Sequence, residues 1–397
     1  MAKPYRVQVL NQISAHGLKR LPAELYEIGK DIADPDAILV RSADMHSLTI
    51  ASSVRAIGRA GAGTNNIPVS AMSTRGVPVF NAPGANANAV KELVAAALLL
   101  ASRGIVEGIS FVNSLSPDMP VAEMGALLEK EKKRFAGNEL RGKTLGVVGL
   151  GAIGSKVARL GLGLGMEVIG FDPALSVEAA WRLPSEVRRM ENLGALFARA
   201  DFISLHLPVL ESTRHLVNAE SSTGFRKGAC LLNFARDEIV DVEAVLQALD
   251  AGRLARYITD FPHPRLIGRQ DVILMPHIGA STEEAEENCA MMAADQLRAF
   301  LEHGNIRNSV NFPGLELERT GGCRLAVTNR NIPGMLGNVL SLLAGAGINV
   351  VDMLNRSRDN IAYNLIDVEG APSEQVIAQL SGVEGVVNVR LIAPPRC

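Results

Sequence analysis

The sequence predicts an α/β protein with two parallel sheets and a smaller α+β module toward its C-terminal end. Three observations predict it. Apolar runs of about five residues alternate with polar helical stretches through most of the chain. A glycine turn at Gly149 joins one such run directly to a helix. From about residue 321 the rhythm restarts as βαββαβ. At 397 residues the chain has room for two or three domains of about 150 residues each.

The elements follow in order. YRVQVL, AILVRS and VRAIGRAG each suit a short strand, and GVPVFNAPG suits another that stops at Pro83-Gly84. Val90 to Arg103 is Ala/Leu-rich and apolar nearly all round, which predicts a buried helix. The EKEKKR run at 129–134 interleaves both charges and suits a solvated helix face. After Gly142 come TLGVV, MEVIGFDP, ADFISLHLP, GACLLNFAR, ARYITDFP and DVILMPHIGAS. These strands are apolar continuously rather than alternately, as a parallel sheet covered on both faces requires. A helix is expected over 283–303, then a linker, NSVNFPGLELER, then the terminal module with helices near 334–346 and 373–381.

Composition excludes several classes of partner. Forty basic residues nearly cancel forty-two acidic ones, and aromatics are 4%. The surface as a whole is therefore no trap for nucleic acid or anionic lipid, and few rings are available to stack on bases. The longest apolar run, Leu93 to Ala101, is nine residues, about half a membrane span. MAKPYRVQVL turns polar at Asn11 and Gln12, so no signal peptide is expected. Cys230, Cys289, Cys323 and Cys397 lack metal-ligand spacing and read as free thiols of a cytoplasmic protein.

Gly149-Leu150-Gly151-Ala152-Ile153-Gly154 is a GxGxxG between a strand and a helix, and Asp172 ends the next strand 23 residues after Gly149. The first glycine makes the turn, the second admits a pyrophosphate, and the third lets helix and sheet pack. The helix N-terminus supplies donors to the phosphates. Asp172 suits ribose hydroxyls and repels a 2′-phosphate, which selects NAD over NADP.

Together with this fingerprint, VRSADMHSLT, IGRAGAGTNNI, GVPVFNAPGANANAVKELV, SLHLPVLESTRHLVN, LLNFARDEIVD and MPHIGASTEEAEEN resemble the D-isomer-specific 2-hydroxyacid dehydrogenase family. Within it they are most similar to the enzymes that oxidise D-3-phosphoglycerate. The resemblance implies two Rossmann-like domains with a cleft between them. Residues 1–89 and 278–310 would bind substrate, and an inserted NAD domain would span 90–277. It implies His277 as the base that takes the hydroxyl proton and Arg236 as the carboxylate clamp. It places Arg41, Arg59, Gly61, Gly63 and Asn81 around the substrate. On the cofactor side it adds His206, Pro208, Thr213 and Asp260, the last beside the nicotinamide amide. A homodimer through the NAD domains is implied, with a homotetramer also open.

One departure stands out. Where the family carries a glutamate that supports the catalytic histidine, this chain reads Asp260-Phe261-Pro262-His263-Pro264. An imidazole cannot support a neighbouring imidazolium as a carboxylate does. Either His277 works with less support and His263 is auxiliary, or a carboxylate from elsewhere substitutes. Residues 321–397 resemble an ACT domain, a ferredoxin-like regulatory module. Asn331 and Asn349 match positions that bind L-serine in regulated members, while Asn329 stands where those members carry histidine. A dimerisation module without ligand is the other reading. Rival functions are a hydroxypyruvate, glyoxylate or D-lactate enzyme of the same family and a non-catalytic, NAD-sensing corepressor.

Overall fold

The computed structural model describes residues 3–319 and 321–393. The chain divides into two compact units, one being Ala87–Thr282 and the other joining the chain before Ala87 to the chain after Thr282.

The unit formed by the two chain ends begins with a parallel sheet. Its strands are β1 (Tyr5–Leu10), β2 (Tyr26–Gly29), β3 (Ala37–Val40), β4 (Ala56–Arg59) and β5 (Val79–Phe80), in the order β2-β1-β3-β4-β5. Strand β3 is AILV and fully buried, as its unbroken apolar run requires. The sequence reading missed β2, because YEIG has little apolar pattern. A tertiary bond anchors it: the Tyr26 hydroxyl donates to Glu302 Oε1 at 2.6 Å. The helix Glu283–His303 packs on β4 so closely that a Cβ at Gly58 would meet the Leu297 side chain at 2.9 Å.

NSVNFPGLELER is not a free linker. Phe312 and Leu315 are each 1% exposed and belong to the core of this unit. Asn311 completes the edge of β5: its Oδ1 accepts from Val79 N at 2.8 Å, and its Nδ2 donates to Val77 O and Ser73 Oγ, both at 3.0 Å.

The terminal module is an antiparallel sheet of β13 (Cys323–Arg330), β14 (Val350–Arg358), β15 (Ile361–Val368) and β16 (Val386–Ile392), in the order β14-β15-β13-β16. With the helices Met335–Gly345 and Glu374–Ser381 this is the expected βαββαβ topology. One sheet face packs Leu325, Val327 and Ile366 with Val339, Leu343 and Leu380 of those helices. The other contributes Ala326, Tyr363 and Leu365 to the core that contains Phe300 and Phe312.

The Ala87–Thr282 unit holds seven parallel strands: β6 (Thr144–Val148), β7 (Glu167–Phe171), β8 (Arg188–Arg189), β9 (Phe202–Leu205), β10 (Ala229–Asn233), β11 (Leu254–Thr259) and β12 (Val272–Leu274). Their order, β12-β11-β10-β9-β6-β7-β8, is doubly wound and reverses at β6. Ligands of such sheets bind at the carboxyl ends beside that reversal. The helices Ala87–Ser102 and Gly154–Gly163 share a core on one side of the sheet, and Val242–Asp250 packs in a second core. The helix Ala87–Ser102 is buried along one face only, with Leu99 43% exposed, so the expectation of burial all round is corrected. No single helix among the described residues is long and apolar enough to cross a membrane.

Candidate active site

In the Ala87–Thr282 unit the GxGxxG lies where the strand order reverses, between β6 and the helix Gly154–Gly163. Gly149 has φ +87°, and a Cβ there would lie 2.4 Å from the His206 carbonyl oxygen. A Cβ at Gly154 would sit 1.8 Å from Gly149 O, so neither position accepts a side chain. Gly151 faces open space, as a backbone cradle for phosphate must. Ala152 and Ile153 complete the turn into the helix. Asp172 closes it, accepting from Leu150 N at 2.8 Å and from Ala174 N at 3.0 Å.

Two orphaned polar atoms extend this site. His206 is bonded through Nε2 to Ser204 Oγ at 2.8 Å, while its Nδ1 is buried with no partner among the described residues. Burial lowers its pKa to about 3, so the ring is neutral near pH 7. Asp260 is 1% exposed; one oxygen accepts from Gly279 N at 2.8 Å, and Oδ1 is buried without a partner among the described residues. Thr213 ties its loop by donating to Pro208 O at 2.6 Å and accepting from Leu210 N at 2.8 Å. The tight glycine turn, the open Gly151 and these orphaned atoms fit a bound NAD.

A cavity of about 390 Å³ in the same unit is lined by Asp237, Glu238, Asp260, Phe261, His263 and His277, among others. His277 is exposed on its turn after β12, and its ring lies 4.8 Å from that of Phe261. His263 accepts from Arg265 N at 3.3 Å through Nδ1, which caps the following turn and leaves Nε2 for the cavity. Glu238 was not anticipated. It shares the cavity with both histidines, and its Oε2 is buried without a partner among the described residues. The only signal for it is its place two residues after Arg236 in RDEIVD.

Arg236 leaves a turn held by buried Asn233, whose Oδ1 accepts from Ala235 N at 3.1 Å and whose Nδ2 donates to Arg236 O at 2.8 Å. The Arg236 guanidinium donates from Nη1 to the Ala235 carbonyl at 2.6 Å.

In the other unit Arg41 follows β3 and Arg59 ends β4. A Cβ at Gly61 would lie 2.2 Å from Arg59 Nη1, so the guanidinium lies against the glycine loop that also contains Gly63. Asn81 clamps this loop, donating from Nδ2 to Ala62 O at 2.6 Å. Glu286, also unanticipated, pairs with Arg41 at 2.5 Å. It stands on the first turns of the helix Glu283–His303, within TEEAEEN. In the terminal module Asn331 donates to Asp359 O at 3.0 Å, and Asn331 and Asn349 are both exposed. Asn329 is buried, accepting from Asn364 Nδ2 at 2.7 Å and donating to Arg330 O at 2.7 Å.

A doubly wound sheet with an NAD-type turn, in the same unit as a cavity that holds His277, defines the class of NAD-dependent dehydrogenases. The family model for the NAD-binding domain of D-isomer-specific 2-hydroxyacid dehydrogenases matches residues 98–279. The chain is 33% identical over 343 residues to the D-3-phosphoglycerate dehydrogenase of Haemophilus influenzae, covering 83% of this chain and 79% of that one. It is 32% identical over 361 residues to its Escherichia coli K12 counterpart, covering 87% and 83%. The NAD⁺-bound 3-phosphoglycerate dehydrogenase structure from Entamoeba histolytica superposes with a TM-score of 0.58 at 26% identity, over 79% of this chain and all of that one. The chain belongs to the D-isomer-specific 2-hydroxyacid dehydrogenase family.

Proposed function

We propose that the chain oxidises D-3-phosphoglycerate to 3-phosphooxypyruvate, the entry to serine synthesis. NAD, when bound at Gly149–Gly154, supplies the hydride acceptor. Asp172 would hold its ribose hydroxyls, and His206, Thr213 and Asp260 its nicotinamide half. His277 takes the proton of the substrate 2-hydroxyl, and Arg236 orients the carboxylate through paired hydrogen bonds. Arg41 and Arg59 neutralise the phosphate, and the loop of Gly61 and Gly63 presents backbone donors to the carboxylate. The observation that carries the substrate assignment is the likeness over four fifths of the chain to D-3-phosphoglycerate dehydrogenases, and the arginines at adjacent strand ends suit a phosphate, for which Arg41 would exchange Glu286. NADH formation with 3-phosphoglycerate is the test, compared with glycerate and lactate and repeated in Arg59→Ala. We expect a preference for the phosphorylated acid that collapses in the variant. Equal rates on glycerate or lactate would reassign the substrate, and no turnover on any acid would favour a binding module.

For the terminal module we propose an ACT role. Its topology and the positions of Asn331 and Asn349, before and after the helix Met335–Gly345, support it. Serine at saturation should lower turnover or raise the thermal midpoint, and an Asn349→Ala variant should lose the response. Failure of both readouts in the parent protein leaves a module without that ligand. The exposed Leu99, Ile109, Val112 and Val121 support assembly as a homodimer through the Ala87–Thr282 unit, which sedimentation velocity checks. The buried free thiols Cys230, Cys289 and Cys323 support a cytoplasmic setting; Cys397 lies outside the described residues.

A further inference from the structure

One cavity outside these sites gathers positive charge with no acid on its walls. It lies within the unit formed by the two chain ends, where the open face of the β14-β15-β13-β16 sheet meets the turns around β4 and β5, and its volume is about 160 Å³. Arg55, Arg75 and Arg390 line it together with Thr328, Tyr363 and Asn388, and no carboxylate belongs to its described lining. The contact is close, since a Cβ at Gly76 would lie 2.4 Å from Asn388 Nδ2.

Little neutralises the three guanidiniums. Arg75 donates to the carbonyls of Ile50 and Ala51, which satisfy its N–H groups but leave its charge. Arg55 has Asp36 at 3.6 Å from its Nε, and that is the nearest acid to any of the three among the described residues. Arg390 stacks 4.3 Å above the Phe300 ring and donates from Nη2 to the Phe300 carbonyl. Its Nε and Nη1 are buried with no partner among the described residues. Burial depresses its pKa, yet a guanidinium stays charged in any protein. A charge taken out of water is held where a counter-charge repays its desolvation, and here Asp36, already facing Arg55, is the carboxylate acting on Arg390 as well, which leaves the group of three net positive.

We propose that this cavity binds a small phosphate-type dianion, inorganic phosphate or a compact phosphate monoester, between the first sheet and the terminal module. Forked donors from Arg55 and Arg390, with the charge of Arg75 beside them, line one small volume and suit a tetrahedral oxyanion, whose oxygens accept from several directions at once. Occupancy would join Arg390 of β16 to Arg55 and Arg75 of the N-terminal segment, so the anion would brace the module. The inference stands apart from the substrate assignment, because none of these residues is placed at the active site.

Hydrogen exchange of the β16 amides tests it, with inorganic phosphate and glycerol 2-phosphate as separate probes and sodium chloride at equal ionic strength as the control. Phosphate should slow exchange in β16 of the parent protein and of Arg59→Ala. The concentration needed should rise about tenfold or more in Arg55→Gln and in Arg390→Gln. Because Arg55 is half-exposed, its variant should fold even if Arg390→Gln does not. Protection by phosphate alone assigns the free ion, and protection by both probes assigns a monoester site. No protection beyond the chloride control, or protection undiminished in Arg55→Gln, would overturn the proposal.

Discussion

A general base of the kind proposed for His277 becomes cationic as it works and needs an acceptor, and the cavity that His277 lines holds a carboxylate that its motif did not mark. In the sequence His263 stands where the family's supporting glutamate is expected, and in the structure its Nδ1 accepts from the Arg265 amide. Glu238 shares the cavity and keeps a buried oxygen without a partner among the described residues. A carboxylate in the cavity stabilises the cation that forms as a base takes a proton, which an amide cannot. Glu238→Gln should therefore lower kcat about tenfold with little change in KM. His263→Asn should leave kcat within about twofold. A loss of kcat in His263→Asn and not in Glu238→Gln would reverse the assignment. The sequence marks His277, Arg236 and Asp260 by motif, whereas Glu238 carries no such mark. Its relevance comes from the turn that Asn233 folds, which is a tertiary fact.

At the scale of elements, what was legible followed from burial. Strands of continuous apolar residues such as AILV and TLGVV show themselves because both faces are covered, and the GxGxxG shows itself because Gly149 and Gly154 tolerate no side chain. What was hidden depends on long-range polar bonds. Strand β2 is held by Tyr26 to Glu302, and NSVNFPGLELER reads as a linker from its Asn, Ser, Pro and Gly content. In the fold Asn311 acts as a surrogate strand for β5, satisfying the Val79 amide and the Val77 carbonyl at once. Truncating it would leave both backbone groups without their partner. Asn311→Ala should therefore cost about 2–4 kcal/mol in urea unfolding, more than the few tenths typical of a surface substitution. A cost below about 0.5 kcal/mol would mean that the segment is a tether after all.

The whole molecule carries an almost neutral charge, but its cations are placed locally, and one of them ties the terminal module to the chain that precedes it. Arg324 is fully buried and uses all five donors: two on Asp367 at 2.5 and 2.8 Å, and three on the carbonyls of His303, Leu317 and Glu318. The helix end, the segment after it and the sheet are thus fastened at one point. Ala326, Tyr363 and Leu365 of the sheet and Phe300 of the helix share an apolar core with β1 and β3, so the two chain ends should unfold together. Ala87–Thr282 has cores of its own. Calorimetry should accordingly show two transitions rather than one for each of three domains. Arg324→Met would take both guanidinium bonds from the buried Asp367 carboxylate and leave three carbonyls without their donor, and should destabilise its unit by about 3–5 kcal/mol. One transition should shift down while the other stays within error, and NAD should raise only the one that stays. If Arg324→Met instead releases a third, small transition, the terminal module unfolds by itself and the shared core does not couple it to the first sheet.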